Sequence, residues 1–244
     1  MDERAQAIVL AAGLGSRLGN LTAERSKAML ELGGRSLLQR AIDFVAALGA
    51  SDVIVVGGYR IEQVHSFVAL LRDARVRVIE NPRYDAGNLL SVLAALPHVR
   101  GSFYLTNVDH VFSAAAAPRV LSSIGDDISA FCQFQRAFEA DEMKVTVDAS
   151  RNIRGIAKTL TRFDGAYCGL THVPRTRLPD YLGAVERTHD ESGDAAVAEQ
   201  VLQSLADEGA RVHAASLDGI AWCEIDTPLD LRRAQATLAT GGVP

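Results

Sequence analysis

Ala7-Ile8-Val9-Leu10-Ala11-Ala12-Gly13-Leu14-Gly15-Ser16-Arg17-Leu18, with Lys27 ten residues past Arg17, decides how this chain folds. An apolar run that ends in two glycines and an arginine reads as a buried strand feeding a tight loop. Such a loop leaves backbone N–H groups bare, and beside positive charge it is suited to hold phosphate. By itself it is also an ordinary strand-to-helix turn. Its glycines at 13, 15 and 19 match neither the dinucleotide fingerprint nor the Walker pattern. Arg17 adds a planar fork that fits phosphate oxygens, and Lys27 adds a mobile point charge.

Outward from that stretch, strands and helices alternate. Helical spacing covers 36–49, 61–72 and 88–96, and strands are predicted over 52–56, 76–79 and 102–106. The pattern implies an α/β, Rossmann-like doubly wound sheet, mostly parallel. In the second half, 128–135, 143–147, 153–157 and 167–172 read as strands with little helix between them. They are expected to add antiparallel to one edge. Helical patterns return near 194–208 and 227–238. No linker or repeat divides the chain, so residues 1–244 are read as one domain, with a nucleotide-binding half over 1–110 and an acceptor-binding half over 111–244.

Composition bounds the function. With 244 residues and 48% hydrophobic content, the chain can bury a sizeable core. A net charge of −5 opposes a general nucleic-acid binder but allows a local basic pocket. No window approaches the ~18 consecutive apolar residues of a membrane span. The opening Met-Asp-Glu-Arg does not resemble a signal peptide. Cys132, Cys168 and Cys223 fit neither a disulfide framework nor a zinc motif. A cytoplasmic protein is expected.

In open α/β sheets, ligands bind beyond the carboxyl ends of the strands. The glycine loop, Gly57-Gly58 and Asp109 all follow strands, and they are expected on one rim.

The segments Leu10–Leu18 and Ser26-Lys27-Ala28-Met29-Leu30-Glu31-Leu32-Gly33-Gly34-Arg35-Ser36-Leu37-Leu38 resemble the signature of the sugar-phosphate nucleotidyltransferases. Asn81-Pro82 with Gly87-Asn88-Leu89-Leu90-Ser91, Asp109-His110-Val111-Phe112-Ser113 and Ile225-Asp226-Thr227-Pro228-Leu229-Asp230-Leu231 are similar to the inositol-1-phosphate and choline-phosphate cytidylyltransferases. Ser26 departs from the proline that many members place before the lysine, a change expected to alter loop stiffness more than chemistry.

The resemblance implies transfer of a nucleotidyl group from a nucleoside triphosphate, CTP in this subgroup, to a small phosphomonoester such as a polyol phosphate. Pyrophosphate leaves. Arg17 and Lys27 are then the catalytic cations. Leu10, Ala11, Ala12, Gly13, Gly15 and Ser16 wrap the nucleotide, and Asn81, Gly87 and Asn88 join Gly13 at the base. Ordinary turn chemistry is the alternative for Asn81, Gly87 and Asn88. Mg2+ is the implied cofactor, held by Asp109 and Asp226. Asp226 is also a regular helix N-cap, and His110 reads as structural or as a support to Asp109. Lys158 is implied for the acceptor phosphate, although an exposed strand-end lysine looks the same, and Lys144 is a weaker candidate. Gly169, Asp164 and Tyr167 are implied to line the acceptor pocket. A homodimer is left open. A sugar 1-phosphate transferase using UTP, GTP or dTTP is the alternative, and a nucleotide-sensing regulator a more distant one. The chain lacks the long C-terminal repeat extension of some relatives, so no second acyltransferase activity is expected, nor the membrane enzyme that would use a CDP-alcohol.

Overall fold

The structure is a computed structural model that describes residues 5–240. The elements run β1 (Gln6–Ala11), β2 (Glu31–Leu32), β3 (Arg35–Ser36), α1 (Leu37–Ala47), β4 (Asp52–Gly57), α2 (Ile61–Leu71), β5 (Val76–Glu80), α3 (Leu89–Ala95), β6 (Phe103–Asn107) and β7 (His110–Phe112). They continue with α4 (Ala116–Leu121), β8 (Ile128–Gln133), β9 (Lys144–Val147), β10 (Ile153–Ala157) and β11 (Gly165–Val173). The chain then enters α5 (Leu178–Ser192), α6 (Ala198–Asp207), β12 (Val212–Ser216), β13 (Trp222–Glu224) and α7 (Pro228–Ala239).

Nine strands form one sheet, along the path β10-β9-β11-β6-β1-β4-β5, with β8 paired to β11 and β12 to β8. β1 is parallel to both β4 and β6. Its side chains alternate between two cores. Ala7, Val9 and Ala11 face the layer that holds α1, whereas Ile8 and Leu10 face the layer that holds α3. A strand buried on both faces must be apolar throughout, which is why this run carries the fold. The chain winds one way from β1 through β4 to β5, then returns to place β6 on the other side of β1. The strand order therefore reverses between β1 and β6. Loops leaving the carboxyl ends of those two strands part there and leave a crevice.

β11 joins the first half to the second. Leu170–Val173 pairs antiparallel with β6, and Gly165-Ala166 pairs with β9. The register against β8 shifts between Tyr167 and Thr171, and Gly169 lies inside that shift with φ +72°.

Two elements, α5 and β12, lie where the sequence pattern assigns none. α5 is a full helix over Leu178–Ser192. It carries Pro179 in its first turn and Gly183 within, and it buries only Tyr181, Ala184, Val185 and Thr188. Small and polar inward positions give a weak apolar stripe, and packing of Tyr181 edge-on to Phe103 supplies what propensity does not. β12 pairs parallel with β8, whose other neighbour, β11, is antiparallel to it, and α5 and α6 carry the chain from β11 across to β12. The expected helix at 194–208 begins only at Ala198, after a short 3-10 turn over Gly193–Ala195. No helix of the described residues is long and apolar enough to cross a membrane.

Candidate active site

A cleft of about 620 Å3 opens over the crevice between β1 and β6. Its floor comes from Leu10 and Ala11 at the end of β1 and from Asn107, Val108 and Asp109 after β6. Val108 donates its N–H to the Leu10 carbonyl at 2.9 Å, which ties the two strand ends together.

The glycine loop forms one wall, through Ala12, Gly13, Gly15, Ser16 and Arg17. Gly15 has φ +63°, and a Cβ there would lie 3.2 Å from Lys27 Cβ. Glycine thus gives the backbone its left-handed turn and lets the lysine stem pass beneath it. The Thr22 hydroxyl donates to the Gly15 carbonyl at 2.9 Å and pins the loop from behind. Gly57-Gly58 does not line the cleft. It backs the loop, with Tyr59 N–H donating to the Ala12 carbonyl at 2.9 Å.

Lys27 is only 8% exposed, and its Nζ lies 2.5 Å from Asp109 Oδ2 and 2.6 Å from Asp226 Oδ1. Arg17 reaches the other oxygen of Asp226 at 2.5 Å. Burial works against the Lys27 ammonium, but the two carboxylates outweigh it and hold its pKa above the ordinary lysine value. Burial likewise opposes the Asp109 charge. Lys27 and His110 overcome it, so the carboxyl lies well below the usual range. Asp226 is held down in the same way by Lys27. Two carboxylates thus share one cation position, and both stay ionised at neutral pH.

The cap reading of Asp226 is resolved by its neighbour. Thr227 is the N-cap of α7: its hydroxyl accepts from Asp230 N–H, and the Asp230 carboxylate accepts from Thr227 N–H. Asp226 is left to face Lys27. His110 is buried, and its Nδ1 sits 2.9 Å from Asp109 Oδ1. One face of its ring stacks on Trp222, with centroids 5.5 Å apart. Gly169 is seated against the same ring, where a Cβ would run into the imidazole.

Of the other residues expected to touch substrates, Asn88 and Lys158 line the cleft. Five do not. The Asn81 side chain is spent on Ser91 Oγ and on Arg83 N–H, so it builds the turn before α3. Gly87 packs under the Ala196 carbonyl, which a Cβ would strike. Asp164 accepts from Val147 N–H at 2.8 Å and fastens the β9 edge. Tyr167 is buried, with its hydroxyl 2.7 Å from Thr171 Oγ1. Gly169 serves His110 as described. Lys144 is also committed, to the carbonyls of Ala140 and Lys158 at 2.7 Å each, and so shapes the Lys158 turn. Turn, strand and packing demands account for all of these residues.

Among the wall residues that were not foreseen are Glu199, Gln200 and Glu224. Glu224 stands two residues before Asp226, a spacing that aims both side chains to one side of an extended segment. Burial, then Asp109 and Asp226, push its carboxyl up to about 7, with His110 pulling the other way. Glu199 and Gln200 open α6 and belong to no motif.

The matching family profile is the MobA-like NTP transferase domain, over residues 7–219. The chain belongs to that family. Among its relatives, the bifunctional IPC transferase and DIPP synthase of Rubrobacter xylanophilus is 33% identical over 229 residues, 93% of this chain and 50% of that protein. The choline-phosphate cytidylyltransferase of Streptococcus pneumoniae is 32% identical over 108 residues, 44% of this chain and 46% of that one. The chain spans about half the length of the first of these relatives. Among solved structures, the inositol-1-phosphate CTP transferase from T. maritima superposes with a TM-score of 0.81 at 21% identity, covering 99% of this chain and 98% of that one. A glucose-1-phosphate thymidylyltransferase structure from Bacillus anthracis gives 0.77 at 17% identity, covering 95% and 94%. These likenesses show that this transferase domain has the α/β nucleotidyltransferase fold.

Proposed function

We propose that the cleft transfers CMP from CTP to a small polyol phosphate and releases pyrophosphate. One observation carries the reading: Lys27, Asp109 and Asp226 meet beneath the glycine loop, at the point where strand order reverses. Two anions must approach each other for phosphoryl chemistry, and that junction gathers the charge to permit it.

The loop N–H groups and Arg17 hold the β- and γ-phosphates. Lys27 leaves its carboxylates for phosphate oxygens and spans the α-phosphate and the incoming phosphate. Lys158 draws the acceptor phosphate from the opposite wall. Asp109 and Asp226 would hold Mg2+, since two ionised carboxylates facing a phosphate site form a hard-oxygen donor set that suits it. When bound, Mg2+ supplies charge neutralisation at the triphosphate. The preference for CTP and for a polyol phosphate rests on the names of the relatives, IPC transferase and cytidylyltransferase among them. The three cysteines are free, which suits a reducing compartment such as the cytoplasm.

The test is a pyrophosphate-release matrix of four nucleoside triphosphates against polyol, sugar and amino-alcohol phosphates. Release that requires CTP, Mg2+ and a polyol phosphate together is expected, and Asp109→Asn should weaken the Mg2+ dependence. Turnover with UTP, GTP or dTTP and a sugar 1-phosphate would replace this reading. Nucleotide binding without pyrophosphate from any acceptor would favour a regulator.

A further inference from the structure

The acids of the cleft divide into those already engaged and one that is not. Asp109 is engaged by Lys27 and His110, and Asp226 by Lys27 and Arg17. Glu224 is bonded to Asp226 through their side chains. Glu199 differs. It lines the main cleft and also a small inner cavity behind it, beside Asn107, Tyr167 and Thr171. Its carboxyl receives its own backbone N–H and no other hydrogen bond among the described residues, and Lys158 is a neighbouring charge. A half-buried carboxyl in a cleft wall, with a single backbone hydrogen bond, has lone pairs left over to accept from a ligand's donors.

Its place fixes which ligand half it faces. α6 packs on β10, whose end leads directly into Lys158 and Thr159. Asn88 accepts from Ala198 N–H at 2.8 Å and clamps the start of α6 over the cleft. Glu199 is the next residue, so it is held by backbone on a helix start, with Gln200 beside it. Lys158 supplies charge for a phosphate, and Glu199, Gln200 and Thr159 supply polar atoms for what that phosphate is attached to. Among the described residues, no Phe, Tyr or Trp lines this cleft. A trimethylammonium group is recognised by aromatic faces, which are absent from the wall.

We propose that Glu199 reads acceptor hydroxyls, so that the cleft selects a polyhydroxylated phosphomonoester and discriminates against one bearing a quaternary ammonium. This rests on the transferase reading above. A site built to hydrogen-bond a hydroxyl rejects an analogue without it, because its own polar group is left unpaired.

The test uses the full chain with CTP and Mg2+ and compares myo-inositol 1-phosphate, glycerol 3-phosphate and phosphocholine as acceptors. Wild type should prefer the polyol phosphates. Glu199→Ala should lower kcat/KM for myo-inositol 1-phosphate by about tenfold to a hundredfold, the size of hydrogen bonds to a charged group. Its KM for CTP should stay near wild type, which also reports a folded site. Glu199→Gln, which keeps an acceptor oxygen, should recover part of the loss. A wild-type preference for phosphocholine overturns the proposal, as does an unchanged acceptor ratio in Glu199→Ala. In either case pyrophosphate still forms and the transferase reading stands. Absence of pyrophosphate with every acceptor removes both.

Discussion

Replacing Lys27 by Met keeps most of the side-chain volume and deletes the charge. The Lys27 side chain is 10% exposed and pairs with two carboxylates whose side chains are 15% and 16% exposed. Removing one member of such a buried cluster costs about 3–5 kcal/mol, because charge is left uncompensated. Two neighbours soften the loss. Arg17 stays on Asp226 at 2.5 Å, and His110 stays on Asp109 at 2.9 Å. The lower end, about 3 kcal/mol, is therefore expected, and a chain of this length should melt about 6–12 °C lower. Mg2+ should then act unequally. In the wild type a divalent ion must displace an ammonium from both carboxylates. In Lys27→Met it does not, and at a hundredfold excess over its Kd it should return about 2.7 kcal/mol. Thermal unfolding with and without MgCl2, at fixed ionic strength, reads both effects. Turnover should still fall by about 10^2–10^3, the scale of losing one preorganised transition-state donor. A variant that melts with the wild type, or equal Mg2+ shifts in both proteins, would refute the shared cation position.

Three further outcomes follow from the same geometry. Gly169→Ala puts a Cβ into the His110 ring at a φ of +72° and should cost about 1–3 kcal/mol in urea unfolding while lowering turnover through a displaced Asp109. His172 is buried against Tyr104, and burial lowers its pKa from 6.5 to about 4. The folded state binds fewer protons there than the unfolded chain, so its contribution is complete above pH 6.5 and lost as pH falls toward 4. About 2 kcal/mol should be lost by pH 5, and His172→Phe should lose that much less than wild type between pH 7 and pH 5. Thr227→Ala removes the α7 cap and should lower stability by about 1 kcal/mol, with kcat for CTP turnover near wild type.

How far the sequence could be read depends on how each residue earns its place. The run Ala7–Ala12 was legible because a doubly buried strand has no alternative to apolar side chains. Lys27, Asp109 and Asp226 were legible because they follow strand ends or a glycine loop, and topology brings such places together. Asn81, Gly87, Asp164 and Tyr167 share residue types with ligand contacts, but their atoms are taken by turns and packing that no spacing reveals. Gly169 is called for by a ring 59 positions away in the chain, which only the folded register discloses. Glu199 escaped because a residue at the mouth of a helix gains meaning from the crossover that lays it on β10. α5 escaped because its inward side is built from small and polar groups.

β11 threads both halves of the sheet, with every residue from Gly165 to Val173 buried and its two ends laddered to different partners. A break in the chain near residue 110 would not liberate two modules. The leading fragment would keep β6 with a bare, apolar edge, ready to stick to whatever extended peptide came near. The trailing fragment would hold the one ribbon able to cover it. Co-expressed, the two pieces should find each other and reassemble; made singly, the first should precipitate.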